Sequence, residues 1–118
     1  MKNMFLRSFY RHFIANQKNM AKFLNLNENE YIAYHHVTGK HPGVVFLPGL
    51  MSHMNGTKAL ALELLCREIG YAYTRFDYRG HGESSGKHEE VTIGSRKEDV
   101  LTVLKSVATG NLVHIIYI

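Results

Sequence analysis

The chain is 118 residues long, 45% apolar and 20% charged, with 8 His, one Cys and no Trp. That length fits a single domain and the apolar fraction excludes a disordered chain. No apolar run approaches the roughly 18 residues of a transmembrane helix, and one cysteine excludes a disulfide framework or a multi-cysteine zinc site.

The formal charge of +4 is unevenly placed. Residues 1–27 hold Lys2, Arg7, Arg11, Lys18 and Lys22 and no acid, whereas nine basic and ten acidic groups follow. The body is near neutral, which points away from nucleic acid as a partner. The start interleaves its basic residues with Phe, Leu, Met and Ile, the composition of a mitochondrial transit peptide. Arg7, Arg11 and Lys18 break the unbroken apolar core of about 7–15 residues that a secretory signal requires. The expected division is a transit peptide with its linker over 1–27 and a folded domain over 28–118, in a mitochondrial protein.

Residues 24–30 are polar and Asn-rich and read as that linker. Residues 31–37 (YIAYHHV) are strand formers. A turn through Thr38–Pro42 leads into a second, continuously apolar strand at 43–47, which completes a predicted hairpin. Pro42 suits the first position of that strand. Pro48 and Gly49 stop it. A helix is predicted from Thr57 to Ile69, with Leu62, Leu65, Cys66 and Ile69 on one face, Asn55 or Thr57 as cap, and Gly70 as left-handed stop. Residues 71–77 (YAYTRFD) read as a strand and 78–94 as a Gly-rich charged loop. Ser95 and Glu98 have capping-box spacing. Val100, Val103, Leu104, Val107 and Ala108 mark the buried stripe of a second helix, closed by Gly110. Residues 112–118 (LVHIIYI) read as a buried strand. The order is a β-hairpin, then β-α-β-α-β in a mostly parallel sheet with helices on both faces. In such sheets function gathers in the loops after the strand carboxyl ends, which here are 48–56 and 78–94.

Several strings imitate known motifs. GESSG (Gly82–Gly86) satisfies G-x-S-x-G, yet no helix starts after Ser84, so it lacks the strand–turn–helix setting of a nucleophile elbow. Ser84 reads as a solvated turn residue. Gly56-Thr57-Lys58 lacks Walker order. Gly80, Gly82 and Gly86 miss the dinucleotide spacing by one residue, which leaves a Rossmann-like nucleotide binder as a weaker alternative with Asp77 at the strand end. His35 and His36 are adjacent and point to opposite sheet faces. His41, His53, His81 and His88 show no ligand spacing, so no metal site is expected. Cys66, on an apolar helix face, reads as an inert buried thiol.

Residues 43–86, GVVFLPGLMSHMNGTKALALELLCREIGYAYTRFDYRGHGESSG, resemble the front half of an α/β-hydrolase. An apolar strand ends in Pro-Gly, a helix follows, and a second strand ends in D-Y-R-G-H-G-E-S. The words NGTKALA (55–61) and RFDYRGHG (75–82) resemble, within that family, the mitochondrial palmitoyl-protein thioesterases, also described as acyl-glucuronide esterases. The resemblance implies a serine hydrolase acting on acyl thioesters and esters, with acylated proteins or small acyl esters as partners and no metal or organic cofactor. It assigns the backbone N–H of Leu50, after Pro48 and Gly49, to the oxyanion hole. It gives Gly49, Asp77, Arg79, Gly80 and Gly82 a structural role in the two loops, with Asp77 accepting loop N–H bonds. In that family the nucleophile, acid and base follow later in the chain. No residue here matches them, so the expectation is a fold truncated before the nucleophile elbow and inactive alone. The rival from another class is a non-catalytic interaction fragment.

Overall fold

Two apolar layers lie on opposite faces of one mixed sheet in the computed structural model, which describes residues 21–49, 51–110 and 113–117. The elements in chain order are strand β1 (Lys22–Asn25), strand β2 (Tyr31–Val37), strand β3 (Lys40–Leu47) and helix α1 (Thr57–Ile69). Strand β4 (Tyr71–Phe76), a 3₁₀ turn (His88–Glu90), helix α2 (Ile93–Ser106) and strand β5 (Val113–Tyr117) follow. The sheet order is β1-β2-β4-β3-β5. β3 runs parallel to both β4 and β5, whereas β2 is antiparallel to β1 and to β4. The transit-peptide expectation falls mainly on residues 1–20, which lie outside the described residues, as does Leu50.

The hairpin differs from expectation. β4 lies between β2 and β3, so 31–37 and 43–47 do not pair with each other. The hairpin that forms is β1–β2, and its first strand occupies part of the stretch read as leader and linker. Asn27 builds its turn: the side-chain carbonyl accepts the N–H groups of Asn29 and Glu30, each at 2.9 Å. An Asn-rich polar stretch has the composition of a linker and of an Asx turn alike. β3 starts earlier than predicted, at Lys40, and Pro42 lies where its register with β4 shifts between Lys40 and Val44. A residue without an N–H is tolerated at such an irregularity. The short link from β2 to β3 passes tightly over the start of β4. Lys40 N–H donates to the Gly70 carbonyl at 2.8 Å, and a Cβ on Gly39 would fall 2.5 Å from the Ala72 nitrogen.

α1 has the predicted bounds, and Gly70 ends it at φ 84° with its N–H on the Cys66 carbonyl. The buried face overlaps the predicted one only at Leu62 and Cys66. Ala59, Leu60, Glu63 and Cys66 point inward, while Leu65 and Ile69, placed in the predicted stripe, are 50% and 46% exposed. Ala59 and Cys66 pack on Phe46 and Tyr73 of the sheet, and Glu63 is drawn inward by an arginine on β4. Neither Asn55 nor Thr57 caps α1; Gly56 is the N-cap and makes no side-chain cap bond. α2 is capped by Thr92, which exchanges bonds with Ser95 at 2.9 Å each, in place of the predicted Ser95–Glu98 pair. Its apolar face matches expectation: buried Val103 with Val100, Leu104 and Val107, and Ala108 just beyond the helix, pack on Ile32, Val45, Phe76 and Tyr78.

The rotation of α1 is testable by equilibrium urea unfolding. Leu60→Ala is expected to lower stability by about 2–5 kcal/mol, the usual range for a buried leucine. Leu65→Ala should change it by no more than about 0.5 kcal/mol, as at a surface position. Equal losses would contradict the observed face.

Candidate functional site

The carboxyl ends of β3 and β4 are adjacent and parallel, so the loops that leave them, 48–56 and 77–92, lie side by side. The first loop turns sharply after Pro48: Ser52 N–H returns to the Gly49 carbonyl at 3.1 Å. Met51 has φ 64°, a left-handed conformation uncommon for a residue with a Cβ. Leu50, the expected oxyanion donor, sits between these two described positions and is itself outside the described residues. Further along, Met54 is fully buried under the loop.

Asp77 joins the loops. Its Oδ1 accepts the Met54 N–H at 2.7 Å from the first loop, and its Oδ2 accepts the Glu83 N–H at 2.9 Å from the second. Its carbonyl accepts the Ser84 hydroxyl at 2.6 Å. Burial pushes the Asp77 carboxyl above the ordinary aspartate range, against the opposing pull of the Glu83 and Met54 N–H groups. Gly82, at φ 48°, passes directly over this carboxylate, where any Cβ would collide with it. Gly80 takes φ 83° and donates its N–H to the Ser85 carbonyl at 2.7 Å.

Ser84 is not the solvated residue that the sequence suggests. It is buried, and its Oγ also accepts the Ala33 N–H of β2 at 2.8 Å. With one bond given to a carbonyl and one taken from an amide, the hydroxyl braces the loop. Ser85 braces similarly, through the N–H and carbonyl of Tyr31 at 2.8 and 3.1 Å. His81 also departs from the solvated reading. It is buried against Tyr78, with the His88 ring 5.0 Å away, and neither of its nitrogens has a hydrogen-bond partner among the described residues.

Arg79 is held by carboxylates on three sides: Asp99 at 2.7 Å, Glu30 at 2.7 Å and Glu98 at 3.0 Å. Its own N–H also donates to Asp99 Oδ2 at 2.9 Å. Burial opposes its charge, but the bonds to Glu30, Asp99 and Glu98 outweigh that and raise its pKa. These contacts fasten the second loop to α2 and to the β1–β2 turn.

Two residues here escaped the sequence reading. Arg75 and Glu63 form an ion pair at 2.8 Å with both side chains fully buried. The signal was present: a lone charge within ALALELLC and another within YAYTRF. Charged residues inside apolar stretches are almost never fully buried unless paired. His35 lies opposite Arg75 in the register, buried, with its Nε2 unpartnered among the described residues. Burial, then the nearby Arg75 and Arg67 charges, lowers its pKa from 6.5 to about 4.

Among the described residues, no group of three or more His, Cys, Asp or Glu could hold a metal ion. No described helix is long and apolar enough to cross a membrane. Cys66 is buried, and burial followed by the Glu63 charge raises its pKa. The arrangement is thus two loops tied together by one carboxylate at the end of a parallel strand pair.

No family model matches the chain. The human protein described as palmitoyl-protein thioesterase ABHD10, mitochondrial, is 47% identical over 94 residues, which cover 80% of this chain and 31% of that protein. The structure of α/β-hydrolase domain-containing protein 10 from mouse superposes with a TM-score of 0.78 at 43% identity, covering 83% of this chain and 39% of that one. A protein from Agrobacterium vitis described as a putative hydrolase superposes with a TM-score of 0.64 at 33% identity, over 73% of this chain and 34% of that one. The chain spans about a third of the length of the curated relatives it matches.

The pH dependence of stability follows from His35. The unfolded chain takes up a proton near pH 6.5 and the folded chain only near pH 4, so stability is full above the first value and falls as the pH drops between them. From pH 7 to pH 5 the loss from this group should be about 2 kcal/mol. His35→Phe should flatten the urea-midpoint profile over that interval. An unchanged slope would show that His35 takes up its proton freely in the fold.

Proposed function

The chain belongs to the α/β-hydrolase family as a homologue of ABHD10, and on that premise we propose that it forms part of a mitochondrial serine hydrolase acting on acyl thioesters and esters. The observation that carries this reading is the turn after β3, pinned at Met54 by Asp77 over the end of the sheet. In hydrolases of this fold one oxyanion N–H comes from that loop and the other from the residue after the nucleophile. By resemblance the first donor is the N–H of Leu50, and the Ser52–Gly49 bond at 3.1 Å that closes the turn around that position supports the reading. When an acyl carbonyl is attacked, negative charge grows on its oxygen. A donor already aimed at that oxygen stabilises the charge without reorganising, and such a donor is worth about 3–4 kcal/mol. Gly49 closes the turn through its carbonyl, and Asp77, Gly80 and Gly82 with Arg79 hold the neighbouring loop in place. Acylated proteins or small acyl esters are the substrates, and no step needs a metal or organic cofactor. The basic residues ahead of β1 supply the import signal, and β1 itself belongs to the sheet.

The 118 residues alone do not turn over such substrates. Ser84, Ser85 and Ser95 spend their hydroxyls on backbone groups, and none is set against a base. The test compares two preparations. The protein captured from its own cells through an antibody to residues 78–94 should hydrolyse a palmitoyl thioester and react with a fluorophosphonate. The 118-residue chain should do neither. Absence of hydrolysis by the captured protein would overturn the hydrolase reading; labelling of Ser84 in the short chain, with turnover, would overturn the assignment of that serine. In the same cells, residues 1–27 on a fluorescent reporter should reach mitochondria, and a diffuse cytosolic reporter would contradict the import role.

A further inference from the structure

We propose that Arg75 is a positioning residue for the turn that carries the oxyanion donor, a role that rests on the reading of Leu50 given above. Arg75 lies near the carboxyl end of β4, two residues before Asp77, so both side chains point to the same face of the sheet end. Its Nη1 donates to the Met54 carbonyl at 3.0 Å and to the Asn55 side-chain carbonyl at 2.9 Å. Asp77 meanwhile accepts the Met54 N–H at 2.7 Å. Met54 is therefore held at both of its backbone polar groups by two side chains, one from the end of β4 and one just past it.

Among the described residues, the bonds within the turn itself are longer. Ser52 N–H reaches Gly49 at 3.1 Å, Gly56 N–H reaches His53 at 3.4 Å, and Asn55 N–H reaches the His53 ring at 3.2 Å. The turn's shape thus depends on anchors from β4. The guanidinium fits this task because its donors form a planar fork with fixed directions, which an ammonium does not supply. Its rotation is set from the other side by Glu63, whose Oε1 accepts Arg75 Nε at 2.8 Å. The chain of contact runs from α1 through Glu63 to Arg75, and from Arg75 to the turn. Asp77 alone would leave the turn free to pivot about one bond. With Arg75 added, the turn is held at Met54 and Asn55 before any substrate arrives, and a preset backbone is the condition for an effective oxyanion donor.

The test is residue-resolved amide exchange by NMR on the 118-residue chain and two variants. Arg75→Lys keeps a charge for Glu63 but cannot span Met54 and Asn55. The double variant Arg75→Met with Glu63→Leu removes both charges together, so neither is left buried alone, and such replacements often preserve stability. In both, the amides of Met54, Asn55 and Gly56 should exchange at least about tenfold faster, with α1 and β3 core amides unchanged. Uniform acceleration across the chain would mean a general stabilising role and would overturn the proposal, as would unchanged protection at Met54. If the double variant does not fold, Asn55→Ala removes one acceptor outside the ion pair and should loosen the same three amides to a smaller extent. Exchange does not depend on activity, so the two readings fail separately. Loosened turns in the variants, alongside an unmutated captured protein with no hydrolase activity of any kind, would overturn the oxyanion role while leaving the clamp in place. A protected turn alongside intact hydrolysis would overturn the clamp alone.

Discussion

The carboxylate of Asp77 is the contact on which the two loops at the sheet's carboxyl end depend. It sits just past the end of β4 and receives one N–H from each loop, at 2.7 and 2.9 Å. Burying a carboxylate is costly unless its oxygens are bonded. Here both are, and the donors are backbone amides whose positions define the loops. The requirement runs in both directions: the loops must close to satisfy the charge, and the charge must be present to satisfy the amides. Gly82 passes so near the carboxylate that no side chain fits there. The sharp glycine-rich turn is therefore a consequence of where Asp77 lies.

A second set of charges extends this arrangement to the helices. Arg75 and Glu63 join β4 to α1, and Arg79 with Asp99 and Glu98 joins the second loop to α2. Neither set is best understood as a source of net stability. A fully buried pair loses much of its attraction to desolvation, and apolar replacements are often as stable. Its effect is directional, because a guanidinium accepts only certain placements of its partners. Each helix is thereby indexed to the loop beside it. Both sets sit toward the carboxyl end of the sheet, where the family places its chemistry.

The α/β character was legible in the chain because it depends on apolar periodicity, which is local. The bounds of α1, the stop at Gly70 and the stripe of α2 follow from spacing and from glycine's freedom at positive φ. What failed depended on partners distant in sequence. The face of α1 was misplaced because Leu65 and Ile69 are apolar but Glu63, a charge, is the residue turned inward, and only Arg75 twelve positions later explains that. The hairpin was misassigned because pairing order is not written in strand composition: β2 and β3 are neighbours in sequence, yet β4 comes between them. β1 went unseen because Asn27 turns look like linkers. In the site, the resemblance led to Leu50, Asp77 and the glycines, whereas Ser84 and His81 looked solvated because loops usually are. Their burial comes from β2 and from Tyr78, and no local pattern records it.

The central claim is that one carboxylate organises both loops at once. The most direct measurement is the amide chemical-shift map of Asp77→Asn, taken together with its unfolding free energy. The substituted amide keeps one acceptor and presents a donor where the other stood. The account predicts shifts at Met54 and at Glu83 together, spreading through 52–56 and 80–85, with a stability loss of about 1.5–3 kcal/mol. Shifts confined to one loop, or a change in stability within about 0.5 kcal/mol, would contradict it.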